Sequence, residues 1–581
     1  MELLSILTYS VLLSIEEAPK TTTDIRLTDV REEAGVDFQH YGERHRWCEI
    51  GPQVQGIATN EQIPDGLFED PFEFANRHLI RMNGSGAAWI DVENDGDYDL
   101  YLVNGAGGPE TTNALYHNMG DGTFVPQTKA CGILDDGEGM ACSVADYDND
   151  GFSDLMVMNF GDFVLYRNKG DGTFENVTAK AFPDGIDEIW YGGSSWGDFD
   201  GDGFLDVYVA GYVDLSENRG NSGLRFPMDF KGFPNYLYRN NGDGTFTDIA
   251  KEAGVEDGFR KSMQVLVADF NDDMRPDILV ANDTDPNGLY LNVGDGTFKE
   301  FSGPSGLSST DGSMGIAWGD YNNDQKMDLY ISNYTGEADL LLTMIDNESS
   351  NDGKTKNAIF TADFTSPIVQ QKTWALVGWG TGFFDFDNDA DLDLFVAGGH
   401  LNGVSGDNRD FNVLFENNGD GSFSDMSDAS GILAPGKRIH RAAIFGDYDN
   451  DGFIDFYVVN NGEESYDDES DRHGVLFRND STSKGNWLKI RLTGTTSNKD
   501  AFGTKISITT HDKTQIREHV SGDGYFSTNA QEVHFGLGDA ETIDSLFITW
   551  PSGRTQALDN VKVNQTLELV EPPATRAQSN P

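Results

Sequence analysis

Seven stretches between Asp91 and Asp455 repeat one nine-residue pattern with an oxygen-bearing side chain at positions 1, 3, 5 and 9. Position 1 is always aspartate: Asp91, Asp146, Asp198, Asp269, Asp320, Asp385 and Asp447. Position 3 holds Glu93, Asp148, Asp200, Asn271, Asn322, Asp387 and Asp449, and position 5 holds Asp95, Asp150, Asp202, Asp273, Asp324, Asp389 and Asp451. Position 9 is again aspartate, at Asp99, Asp154, Asp206, Asp277, Asp328, Asp393 and Asp455. Carboxylates packed this closely repel one another, and a hard cation relieves the repulsion. Ca²⁺ takes about 6–8 oxygens, and a tightly wound loop supplies them from alternate side chains and one backbone carbonyl near position 7. Asp97, Phe152, Phe204, Arg275, Lys326, Asp391 and Phe453 stand at position 7. That mixture makes sense only if the carbonyl there, and not the side chain, is the ligand. The pattern predicts up to seven Ca²⁺ sites.

Position 6 calls for glycine at a sharp bend, and Gly96, Gly151, Gly203 and Gly452 supply it where Met274, Gln325 and Ala390 do not. The fourth and fifth loops, which also carry Asn271 and Asn322, are expected to bind more weakly. The residues after each loop exclude an EF-hand. Its twelfth position should be glutamate with a helix beyond, but the second loop has Val157 there, and runs such as Asp154-Leu-Met-Val-Met-Asn159 read as strands.

The elements that position these loops repeat with them. Each loop and its strand precede a second strand of shared form, as in Ala114-Leu-Tyr-His-Asn118, Val164-Leu-Tyr-Arg-Asn168 and Val413-Leu-Phe-Glu-Asn417. A Gly-Asp-Gly hairpin and a short outer strand come next. With the strand before the loop counted, the unit is a four-stranded blade. Loop spacings from 51 residues (Asp269 to Asp320) to 71 (Asp198 to Asp269) suit blades with insertions. Seven units predict an all-β, seven-bladed β-propeller. The seventh lacks its outer strand, and Ile25–Val30 resembles the missing piece, so the two ends should complete one blade by pairing residues 25–30 with 475–479. Insertions at Tyr212–Pro234 and Asn333–Asp352 depart from the repeat.

These loops and strands resemble FG-GAP/VCBS repeats over roughly residues 25–480. Beyond Lys484 the pattern changes to Asn486-Trp487-Leu-Lys-Ile-Arg-Leu-Thr-Gly494, Ser521-Gly-Asp-Gly524-Tyr525, His534-Phe-Gly-Leu-Gly538 and Trp550-Pro551-Ser-Gly553, which resembles an ASPIC/UnbV domain over about 485–570. The order is similar to that of the cartilage acidic protein family, bacterial-type members included. Read from its residues alone, this part is a small β-sandwich-like domain of alternating strands, with structural roles for Arg517 and His534 and a disordered tail at 571–581.

With 98 acidic and 40 basic residues the net charge is −58. Seven divalent ions would still leave about −44, a surface unsuited to nucleic acid or anionic membrane and attractive to cations or basic partners. Residues 1–20 contain an apolar run of signal-peptide length, Leu3–Ile15, with Glu2 where a basic residue is usual and no Ala-x-Ala site after it. Nothing is long enough for a transmembrane span. Multi-site calcium loops suit a secreted, periplasmic or cell-surface setting. Cys48, Cys131 and Cys142 allow one bridge, Cys131 to Cys142, and one free thiol.

The sequence holds one catalytic-looking motif, Gly193-Ser-Ser195-Trp-Gly197. A nucleophile elbow needs a strand-to-helix turn, and this segment runs straight into the loop at Asp198. Trp89, Trp196, Trp318 and Trp379, which precede loops, suit core between blades. The expected function is an extracellular module for adhesion, carbohydrate binding or protein interaction, with a glycan or protein as partner. The alternative is an enzyme acting on polysaccharide or a small molecule at the propeller mouth or the domain interface; converging Arg, His or Tyr side chains there would favour it.

Overall fold

The computed structural model of the chain describes residues 25–40, 83–105, 112–217, 226–345, 357–401, 409–462, 472–482, 485–511 and 513–573. The signal-like segment, Cys48, the acidic run 463–471 and parts of both insertions lie outside the described residues.

Seven four-stranded antiparallel sheets form the blades of a ring. Their inner strands are Ala87–Ile90, Glu138–Ala145, Tyr191–Gly197, Ser262–Ala268, Ile316–Gly319, Gly378–Phe384 and His440–Gly446, numbered here as blades 1 to 7. Each inner strand packs beside the next, and that of blade 7 packs beside blade 1. Glycine, alanine and serine are frequent in these inner strands, where neighbours approach closely, whereas second strands such as Asp277–Asn282 and Asp455–Asn460, buried on both faces, are nearly continuous apolar runs. The side chains of Trp89, Trp196 and Trp318 are buried between blades, as expected, while that of Trp379 is buried in the channel against Tyr525. Closure takes the predicted route. Leu27–Asp29 completes blade 7 as its outer strand, with Leu27 opposite Asn479, Thr28 opposite Arg478 and Asp29 opposite Phe477.

In six of the seven blades the third strand ends in an asparagine that links the blades. Asn118, Asn168, Asn240, Asn292, Asn417 and Asn479 each donate their main-chain N–H to the position-9 aspartate of their own loop, at 2.7–2.8 Å. Each side-chain amide then donates to the position-2 carbonyl of the preceding blade's loop, over 2.7–2.9 Å. Asn118 closes the circle by reaching Tyr448 O of blade 7 at 2.8 Å. Asn118→Ala removes that donor and the bond to Tyr98 O, leaving buried carbonyls unpaired. A loss of roughly 2–4 kcal/mol in urea denaturation is expected; an unchanged midpoint would show the staple to be idle.

The C-terminal domain sets a three-stranded sheet against a four-stranded one. Asn486–Thr493 is the centre of the first, antiparallel to Val533–Gly538 and parallel to Gln565–Val570. Thr504–Thr510 and Thr542–Thr549 form the middle of the second. Leu488, Ile490, Ile506, Phe535, Ile548 and Trp550 make their shared core. Glu571, assigned from sequence to a disordered tail, is anchored: its carboxylate accepts the N–H groups of Thr495, Thr496 and Ser497 at 2.7–3.0 Å. A hydrogen bond from the Ser552 hydroxyl, with those N–H groups, holds its pKa down at about 2 despite the cost of burial.

From this domain the segment Ser521–Ala530 runs into the centre of the ring and bonds to the inner strands. Trp196 N donates to Ser521 Oγ, Gln264 Nε2 to Gly522 O, and Ile316 and Gly524 exchange two backbone bonds. Cys142 N donates to Phe526 O, Trp89 N to Thr528 O and Phe445 N to Asn529 Oδ1. Tyr525 meets Trp379 edge-on, with ring centroids 5.3 Å apart. All seven blades are touched, and the channel is filled from the loop side.

One sequence expectation changes here. Cys131 and Cys142 are free thiols, both buried in the apolar core between blades 1 and 2, and no bridge joins them. Cys131 ends a helical turn, where its thiol donates to Thr128 O, whereas Cys142 lies on an inner strand. Ser195 of the Gly-x-Ser-x-Gly motif is wholly buried, donates to Ser521 O and accepts from Val267 N. It is a packing hydroxyl with no base beside it.

Candidate metal centres on the loop face

The seven acidic loops lie between the inner and second strands, so the propeller gathers them on one face. Their folding is alike. The position-1 carboxylate accepts the N–H groups of positions 5 and 6, as Asp447 does from Asp451 (3.0 Å) and Gly452 (2.9 Å). The position-5 carboxylate accepts the N–H of position 7, as Asp451 does from Phe453 at 2.9 Å. The chain is left-handed at positions 4 and 6. Asparagine or aspartate takes position 4 in six loops, with φ of 55–60°. At position 6, Met274, Gln325 and Ala390 adopt φ of 66–78° where glycine is absent, at a cost of about 1–2 kcal/mol each for an L-residue.

Ligand atoms of three carboxylates converge within 4.8 Å in four loops: Asp146, Asp148 and Asp154; Asp198, Asp200 and Asp206; Asp385, Asp387 and Asp393; Asp447, Asp449 and Asp455. In the first loop the converging groups are Glu93, Asp99 and His117, with Asp91 outside the cluster. The fourth and fifth loops bring Asp269 with Asp277 and Asp320 with Asp328, but Asn271 and Asn322 stand where the third carboxylate would be. The position-5 aspartates Asp95, Asp150, Asp202, Asp273, Asp324, Asp389 and Asp451 lie outside these clusters. Position-7 side chains point to other tasks: Asp97 accepts from Asn450 Nδ2 at 2.8 Å, and Asp391 from Asn323 Nδ2 and Lys513 Nζ.

Burial makes negative charge in these clusters costly. Desolvation, joined by neighbouring carboxylates, raises Asp91 and Asp198 to about 6, Asp146 to about 8 and Asp99 to about 9, and lifts Asp154, Asp206, Asp393 and Asp455 well above the carboxylate range. Buried oxygens without a hydrogen-bond donor mark position 3 of two loops, Asn271 Oδ1 and Asp449 Oδ1. Such orphaned acceptors aimed into an anionic loop fit a hard, oxygen-loving cation.

The sequence did not reveal the residue before the staple asparagine, which in blades 1, 2 and 6 reaches the loop carboxylates. His117 Nδ1 lies 3.0 Å from Asp99, and Arg167 grips Asp148 (2.5 Å) and Asp150 (2.7 Å). In blade 6 the same position is Glu416, an additional acid near Asp387 and Asp389. Strand alternation was the available signal, since the neighbour of a seam-facing asparagine must face the other way.

The C-terminal domain covers this face with cations. Lys489 Nζ lies 2.8 Å from Asp447 Oδ2, Lys505 Nζ 2.7 Å from Asp269 Oδ2, and Arg491 donates to Gly96 O at 2.8 Å. Arg517 donates to Ile516 O and Gln515, and His534 pairs with Gly452 O. Burial drives the His534 pKa down to about 3; both are structural, as expected. At the far end of the plugged channel Arg441, Trp379 and Tyr525 converge. Arg441 stacks on Trp379, with 4.1 Å to the ring centroid, and donates to the carbonyls of Gly399, His400 and His440. Tyr525 OH donates to Asn83 O. These groups are wholly buried and directed at main-chain carbonyls, which makes them channel filling.

A family model described as FG-GAP-like repeat matches residues 91–157, 146–209, 215–280, 269–331 and 385–458, and one described as ASPIC and UnbV matches 494–576. Cartilage acidic protein 1 of Xenopus tropicalis is 27% identical over 508 residues, covering 84% of this chain and 73% of that protein. The human protein of that name is 26% identical over 538 residues, covering 89% and 75%. A solved lectin of Agrocybe aegerita aligns over 60% of this chain and 82% of its own, at 18% identity and a TM-score of 0.37. That likeness is too loose to carry an argument.

Proposed function

The chain belongs to the FG-GAP-like repeat proteins and carries a C-terminal ASPIC and UnbV domain, and from that premise we propose that it is a calcium-binding extracellular propeller that engages a glycan or a protein. The observation that carries the reading is the convergence of three carboxylates in each of four loops, with two carboxylates more in the first. Asp146, Asp148 and Asp154, with their counterparts in blades 3, 6 and 7, would hold Ca²⁺; in blade 1 Glu93 and Asp99 would do so. The ion would cancel the repulsion that each bend carries and fix the loop. Among the described residues no helix is long and apolar enough to cross a membrane, and the relatives named for cartilage support an extracellular setting.

Binding is favoured over catalysis because the mouth on the loop face is filled by Ser521–Ala530 and the Arg441–Tyr525 group is buried. Ligands are left the perimeter and the opposite face, where an acidic surface selects basic or calcium-bridged partners. Calorimetric titration of calcium into chelated protein is expected to resolve several sites. Asp148→Ala is expected to abolish one of the tighter ones and Asp328→Ala to leave the tight sites intact. Equal losses would remove the ranking, and no heat at millimolar calcium would remove the reading. A glycan array with and without chelator then separates glycan from protein as partner.

A further inference from the structure

Six seams between blades carry the asparagine staple; the seam between blades 4 and 5 does not. Met344 occupies the staple position there. It pairs with Phe360 as Asn118 pairs with Phe124, and its N–H donates to Asp328 at 3.0 Å as that of Asn118 does to Asp99. Its thioether has no donor for Phe270 O, the position-2 carbonyl of the fourth loop.

A second linkage is missing here too, as it is between blades 3 and 4, where Gly201 stands at position 4. In five loops the position-4 asparagine donates to the next loop around the ring, as Asn149 does to Gly203 O at 2.9 Å and Asn388 to Gly452 O at 3.1 Å. The fourth loop has Asp272, whose carboxylate accepts from Lys505 of the C-terminal domain at 2.8 Å.

The C-terminal domain spans this seam with one side chain. Glu518 Oε1 accepts from Asp269 N of blade 4 at 2.8 Å, and its Oε2 accepts from Trp318 Nε1 of blade 5 at 3.2 Å. Lys505 stands directly opposite Glu518 on the paired strand and bonds to Asp269 and Asp272. Val520 packs against the apolar cluster that blades 4 and 5 share. Both Glu518 bonds are buried, where an unmade bond is costly.

We infer that Glu518 is the clasp of the seam between blades 4 and 5, replacing the missing asparagine, so that the ring opens at this seam when the C-terminal domain lifts. The integrity of this seam is then coupled to docking of the domain, in a circle whose other six seams are stapled from within.

Hydrogen exchange of the full chain at fixed calcium tests this. Glu518→Gln keeps the shape but loses one acceptor. Amide exchange at 268–273 and 316–319 is expected to rise on the order of tenfold, with the other six seams unchanged. Adding Met344→Asn, which supplies the staple from within the ring, is expected to restore protection at 268–273. Exchange rising equally at every seam, no change at this one, or no recovery with Met344→Asn would each overturn the clasp.

Discussion

Lowering the pH from about 8 to 5 is expected to raise the melting temperature of the calcium-free protein and to lower that of the calcium-loaded protein. The opposition of sign comes from linkage. Without metal, burial and mutual repulsion hold Asp91, Asp198 and Asp320 at about 6, Asp146 at about 8, and Asp99 and Asp328 at about 9. In the unfolded chain these groups return to about 4. Between that value and the folded ones, the folded state binds more protons than the unfolded state, so its stability falls as pH rises. Several such groups together amount to several kcal/mol, since a tenfold difference in proton affinity between the two states corresponds to about 1.4 kcal/mol. With calcium bound, the same carboxylates must stay ionised, and acid releases the ion. Each site occupied at a hundredfold excess over Kd contributes about 2.7 kcal/mol that is then lost. Melting curves in chelator and in calcium across this range provide the check. Parallel slopes would mean that the loops hold no ion.

Tyr525→Ala is expected to destabilise the whole chain by roughly 3–5 kcal/mol, the range for deleting a buried aromatic ring. Tyr525→Phe should cost only about 1 kcal/mol, for the single bond to Asn83 O. Tyr525 is fully buried, stacks on Phe526 with centroids 4.0 Å apart and meets Trp379 edge-on. Because it belongs to the C-terminal domain by sequence and to the propeller core by position, its loss should lower one shared unfolding transition. A variant that melts the C-terminal domain alone and leaves the propeller transition in place would show the plug to be passive.

The repeats were legible because local chemistry writes them: an aspartate every second position, a left-handed bend, and a strand of Val, Leu and Tyr after it. The shared blade was legible too, since the seventh unit visibly lacks a strand that Leu27–Asp29 could supply. The staple asparagines were in view as a recurring last residue, but nothing within one blade says that the side chain of Asn118 reaches Tyr448. The Cys131–Cys142 bridge failed for the same reason, as nearness in sequence does not set the geometry a disulfide needs. The tail lost its first residue to order because Glu571 meets three N–H groups from residues 495–497.

The sequence by itself determined the blade, its number and the oxygen-rich loops, because each rests on contacts within about fifty residues whose periods survive in one dimension. Only the tertiary structure decided which side chains meet in each loop, that a segment near residue 525 fills the channel, and that Glu518 spans the seam Met344 leaves open. The meeting within each loop rests on desolvation and side-chain direction, and the plug and clasp join residues hundreds of positions apart, none of which leaves a period to read.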